Sequence, residues 1–166
     1  MTCNHDAEFS RGNTSILTKR VVLGWYDGPT SGVGQCSGCG TSLMFEMLAC
    51  DEGQDERVFS LATLHRESLD QLVTTLAPLG SPTWPEWTPK WEFVAGDIQE
   101  VVEGTVQGIL SQAASPEWVV LTERIGFDDG IGRRVKEVAL PLQVDHKTEP
   151  SATFEIWSRF IRSAGA

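Results

Sequence analysis

The apolar residues of this chain change their spacing part-way along it, and that change constrains the fold more than any other feature. From residue 19 to residue 64 they come in short runs separated by turn residues. Lys19–Tyr26, KRVVLGWY, is β-branched and aromatic and reads as a strand. DGPTSG interrupts it, with turn signals at Gly28-Pro29 and at Gly32. Val33–Cys36 reads as a short second strand, Thr41–Cys50 as a third and Arg57–Leu64 as a fourth. This half predicts an antiparallel meander.

Beyond it the period becomes helical. Leu69, Leu72, Val73 and Leu76 fall on one helix face, which Pro78 and Gly80 end. A second helix opens at Asp97. Its predicted apolar stripe is Ile98, Val101, Val102, Thr105, Val106, Ile109, Leu110 and Ala113. Asp97 with Glu100 matches a capping box, and Ser115-Pro116 ends the helix. EWVVLTERI then reads as a strand, DDGIG as a turn and Arg133–Leu140 as a last strand. Ser151 is placed to cap a tail helix carrying Phe154, Trp157 and Ile161 on one side.

Strands, then helices, then strands predict an α+β fold. The expected sheet is antiparallel, a meander of about four N-terminal strands plus one or two C-terminal strands. Two main helices pack on one face. Residues 1–17 are polar and irregular and read as a lead-in to one domain over 18–166.

Charge narrows the function classes. Lys and Arg number 13 against 23 Asp and Glu, a formal net charge of −10. Nucleic-acid binding needs a basic face that displaces counterions, so it is not expected. An acidic surface is also repelled by anionic membranes. Its ordinary use is solubility, and its sharper use is a basic protein partner. No apolar run approaches the ~18–20 residues of a membrane helix. The first 15 residues lack the apolar core of a secretory signal. Cytoplasm is therefore the expected compartment, with no membrane partner.

CSGCG, at residues 36–40, has the spacing of one zinc-ribbon knuckle. A structural zinc takes four ligands, normally from two knuckles. Candidates beside Cys36 and Cys39 are Cys3, His5, Cys50, His65 and His146. If Ser37-Gly38 is a two-residue hairpin loop, Cys36 faces Cys39. Cys50 then lies eleven strand steps on, roughly 37 Å away, and is excluded. A redox pair would sit at a helix N-terminus, which lowers the thiol pKa. Here a strand follows instead. The expectation is a turn with no stoichiometric zinc, and a zinc knuckle through Cys36 and Cys39 stands as an alternative.

YDGPTSGVG lacks the Gly-Lys-Ser/Thr of a P-loop and the strand–G-x-G-x-x-G–helix order of a dinucleotide site. Its glycines read as conformational, and Asp27 as a turn residue capping through its side chain. The three histidines are scattered, and no G-x-S-x-G or H-E-x-x-H is present. Gly104 and Gly108 form a G-x-x-x-G, expected to allow close packing on the sheet. Asp51, Glu52, Asp55 and Glu56 read as a solvated turn rather than a calcium loop.

WPEWTPKW sets Trp84, Trp87 and Trp91 among stiffening prolines. In a polyproline segment Trp84 and Trp87 share an edge, and Trp91 is expected to be the most buried. An exposed ring there suits a partner-binding anchor.

The leading expectation is a non-catalytic protein-interaction or regulatory module using Trp84, Trp87 and the acidic surface. The alternative is a small enzyme or ligand-binding protein with a pocket near Asp27, the GPTSG turn and the Trp/Pro loop. A pocket with convergent polar groups would favour the second. A grooved apolar patch with an acidic rim would favour the first.

Overall fold

A computed structural model describes residues 16–51, 53, 56–122, 127, 130–134 and 150–163. Its strands are β1 (Leu17–Trp25), β2 (Pro29–Cys36), β3 (Ser42–Asp51), β4 (Glu56–Thr63), β5 (Glu86–Trp87), β6 (Trp118–Thr122) and β7 (Gly130–Arg134). Its α-helices are α1 (Ser68–Thr75), α2 (Gly96–Leu110) and α3 (Pro150–Ser163). The strands form one 7-stranded sheet in the order β5-β1-β2-β3-β4-β6-β7. Among the described residues, only the β1–β5 pairing is parallel. The fold is α+β, and β1 to β4 form the expected meander. The unexpected strand is β5, built by the Trp/Pro segment itself. No described helix is long and apolar enough to cross a membrane.

Alternation divides the sheet into two faces. Along β4, Val58, Ser60 and Ala62 share one face while Phe59 and Leu61 share the other. Phe59 and Leu61 join Val22, Phe45, Trp118, Val120 and Phe127 in one buried cluster. Strands β1 and β6 are not neighbours, yet both feed this cluster. The Ile16 N–H also donates to the Phe127 carbonyl at 2.9 Å. The sheet therefore curls around these side chains. Register shifts in β1 and β3 allow the curl, as bulges do.

All three helices cover the other face. Leu69 and Leu72 of α1 and Val102, Val106 and Ile109 of α2 pack on Val21, Val33 and Leu64. Phe154, Trp157 and Ile161 of α3 pack on Ala49, Val58, Val119 and Leu121. The tail stripe thus packs as its spacing predicts. Arg162 of α3 also pairs with Glu56 at 3.2 Å.

Several expectations need correction. Strand β2 starts at Pro29 rather than Val33. A proline needs no ladder donor at the first strand residue, so the turn shrinks to residues 26–28. Gly32 is a strand residue, not a turn. Asp97 does not cap α2: the helix starts at Gly96 after Ala95, with no side-chain cap bond. Asp97 still lies in the first turn, where its charge suits the dipole. Ser151 lies inside α3, which opens on Pro150. The α2 stripe is narrower than expected, since Val101 is 70% exposed and Ile98 45%. Ile16 and Leu17 belong to the core rather than to a lead-in. Residues 1–15 and most of the expected last strand (135–140) lie outside the described residues.

Candidate functional site

The sheet's helix-covered face is apolar under α1 and α2 and apolar again under α3. Between these zones runs one polar row. Ser31 of β2 pairs with Glu46 of β3, and Glu46 pairs with Ser60 of β4. The row is the register's consequence: a glutamate inside the apolar run LMFEML falls opposite two serines. Gly24 makes room beside it, because a Cβ there would come within 2.5 Å of Ser31 Oγ and 2.6 Å of Thr30 Oγ1.

Over this row lies a groove of about 860 Å³. Its sheet wall includes Ser31, Gly32, Phe45 and Glu46. Its helix wall includes Glu100, Glu103, Gly104, Gln107 and Ser111, and Trp91 also lines it. The floor is apolar: Val106 is buried, and Leu23, Met44, Trp91 and Leu110 are half-buried. Among the described residues, every charged residue of the lining is a glutamate, and Glu46, Glu100 and Glu103 are all exposed. One Glu103 oxygen accepts from Gln99 Nε2 at 3.0 Å. Gly104 leaves the helix wall open, since an added Cβ would meet nothing within 4 Å. The G-x-x-x-G glycines therefore do not serve close packing on the sheet. Gly104 instead shapes the groove.

An exposed aromatic pair lies two residues beyond Leu23. Trp25 is 58% exposed and Tyr26 67%. Their turn is held from below by Arg57, itself only 5% exposed. Its Nη2 donates to the carbonyls of Tyr26 at 2.7 Å and Asp27 at 3.0 Å, and its Nη1 to that of Pro29 at 2.9 Å. Asp27 has φ 51 and an exposed side chain, and its carbonyl is what Arg57 holds.

The expected site residues are dispersed. Asp27, Trp84 and Trp87 do not line the groove. Trp87 sits in β5 opposite Val21 and is buried at 6% exposure, so it offers no ring to a partner. Pairing with β1 turns it inward, where a polyproline repeat would have kept it beside Trp84. Trp84 is 40% exposed, with Lys19 Nζ 5.9 Å from its ring centre. Trp91 is only half-buried, so it is not the most buried of the three.

The cysteine turn also differs from the expected two-residue loop. The Cys36 N–H donates to the Thr41 carbonyl at 2.9 Å, so Cys36 pairs across to Thr41 and residues 37–40 form the loop. Gly40 takes φ 75 there. Cys36 is buried at 1% exposure and accepts from the Gly38 N–H at 3.4 Å through its sulfur. The Cys39 sulfur lies 3.1 Å from Thr41 Oγ1. Cys50 lies at the other end of β3, paired with Arg57. Among the described residues, no three His, Cys, Asp or Glu side chains gather to hold a metal ion. Cys3, His5 and His146 lie outside the described residues.

Sequence reasoning missed the groove glutamates and the Trp25–Tyr26 pair. One signal existed, the single charge of Glu46 within an apolar strand. Comparison with known proteins finds no matching family model, no matching curated protein and no matching solved structure.

Proposed function

We propose that this chain is a non-catalytic interaction module that takes a segment of a protein partner into the groove between α2 and the sheet. The observation that carries this reading is the groove's lining, an apolar floor between glutamates. Apolar grooves with a polar rim are typical of peptide capture, in which a few anchoring side chains supply most of the affinity. Trp25 and Tyr26 are an exposed pair starting two residues beyond the groove residue Leu23, on a turn whose rigidity would lower the ordering cost of any contact they make. A second reading, a small-molecule pocket, draws on the meeting of Ser31, Gly32 and Trp91 in one groove. Its volume falls in the range of about 300–1,000 Å³ common for ligand sites.

The test is selection of peptide binders from a random displayed library. Gly104→Trp is the decisive variant, because its ring enters open groove space. Binders that hold the wild type and lose Gly104→Trp support the reading. Binders indifferent to Gly104→Trp place recognition elsewhere.

A further inference from the structure

The groove's charges name the chemistry of its occupant. Glu46 comes from the sheet wall, and Glu100 and Glu103 come from the helix wall. The two walls thus present one sign of charge across an apolar floor of Leu23, Met44, Val106 and Leu110. Carboxylates that line one concavity give it a negative potential, which an occupant of opposite charge complements. Such a concavity also focuses the field, so it raises the encounter rate of cations more than the affinity of any single contact.

The floor adds a second requirement. A simple cation would leave Leu23, Met44 and Leu110 wet. Lysine and arginine carry an aliphatic stem below the charge, and such stems lie along apolar surfaces while their heads stay hydrated. Trp91 at the groove adds a ring face that attracts ammonium or guanidinium groups. The chain's net charge of −10 acts in the same direction at long range.

We infer that the groove takes a basic segment of a partner protein, with lysine or arginine stems along the floor and their heads between Glu46, Glu100 and Glu103. This inference rests on the proposed binding role of the groove and specifies its partner. Phosphorylated or acidic segments are excluded from it by like-charge repulsion.

The probe is a fluorescein-labelled peptide of alternating lysine and leucine, read by fluorescence anisotropy. A peptide of alternating glutamate and leucine is its control. The lysine peptide is expected to bind the wild type, and the control to bind at least ~10-fold more weakly. The Glu46→Gln/Glu100→Gln/Glu103→Gln variant is expected to lose affinity by ~10-fold or more, mostly through a slower association rate. Gly104→Trp is expected to lose it as well. Binding should weaken steeply with added salt, because the Debye length shrinks from ~10 Å at 0.1 M to ~3 Å at 1 M.

Equal binding of both peptides, or of the lysine peptide to wild type and triple-glutamine variant, overturns the inference. If library binders still depend on Gly104 but the lysine peptide does not bind, the basic partner falls and the binding role stands. If Gly104→Trp changes neither, both fall.

Discussion

The Nη2 of Arg57, in β4, donates to the carbonyl oxygen of Asp27 at 3.0 Å, 30 residues away in sequence. Two more carbonyls share the guanidinium, that of Tyr26 in the same turn and that of Pro29 at the start of β2. Arg57→Met should therefore lose about 2–4 kcal/mol, because backbone acceptors would lose their donors beside a buried stem. Urea denaturation measures it. A loss under about 1 kcal/mol would show that the turn holds itself, since a lost partner for one buried group already costs that much.

The tryptophans of the Trp/Pro segment should separate sharply by stability. Trp87 is 6% exposed and packs with Val21 and Leu79, so Trp87→Ala should cost about 3–5 kcal/mol. Trp84 is 40% exposed, with Lys19 near its ring, so Trp84→Ala should cost about 1 kcal/mol or less. Thermal melts of the two variants check this. Equal losses would contradict the β1–β5 pairing that turns Trp87 inward.

Helix α2 makes a similar contrast within two turns. Val106 is 4% exposed and Val101 is 70% exposed. Val106→Asp should leave the chain unfolded, because the carboxylate would be buried among Leu72, Val102 and Ile109. Val101→Asp should fold and melt within a few degrees of wild type, the size expected of a surface change. Far-ultraviolet circular dichroism during heating distinguishes them. A collapsed Val101→Asp would mean that this face of α2 is covered in solution.

These contrasts show what the sequence could and could not say. The meander was legible because each strand carries β-branched or aromatic residues and the first three end at glycine or acidic turn residues. The tail helix was legible because Phe154, Trp157 and Ile161 keep strict helical spacing. Pairing was not legible. Nothing local tells that Glu86 and Trp87 lie beside Arg20 and Val21, or that β2 begins at Pro29. The α2 stripe is narrower than its spacing predicts, for a related reason: periodicity shows that Val101 can join an apolar face, but only the neighbouring elements decide how wide that face is. The groove belongs to the same class. Glu46 and Glu103 are far apart in sequence, and only the placement of α2 over the sheet brings them to one groove.

The cysteines give a prediction for metal. Elemental analysis should find well under one zinc per chain, and a chelator should leave the melting temperature unchanged. A structural zinc contributes folding energy outright, so its removal would lower that temperature. Cys39 is half-buried, and Cys39→Ser should be mild. Cys36 is 1% exposed beside Ile16 and Leu17, and Cys36→Ser should cost about 1–3 kcal/mol as a buried hydroxyl replaces sulfur. One zinc per chain, with both variants failing alike, would establish the knuckle.

Two glycines should respond in opposite directions to the same added methyl. At Gly32 a Cβ would lie 2.1 Å from the Val21 carbonyl oxygen and 2.7 Å from Phe45 Cζ. The first of these is backbone in a paired strand and cannot swing away, so Gly32→Ala should cost about 3 kcal/mol or more, the upper range for overpacking. At Gly104 a Cβ would meet nothing within 4 Å, and the residue sits inside α2. Alanine is favoured over glycine in a helix interior by about 1 kcal/mol, so Gly104→Ala should raise the melting temperature by a few degrees. Differential scanning calorimetry on both variants tests the pair. A destabilised Gly104→Ala would mean that another group already fills the space beside α2. A stabilised one would show that the wild-type chain forgoes helix propensity at the wall of its groove. That is expected where a position is kept small for an occupant rather than for the fold.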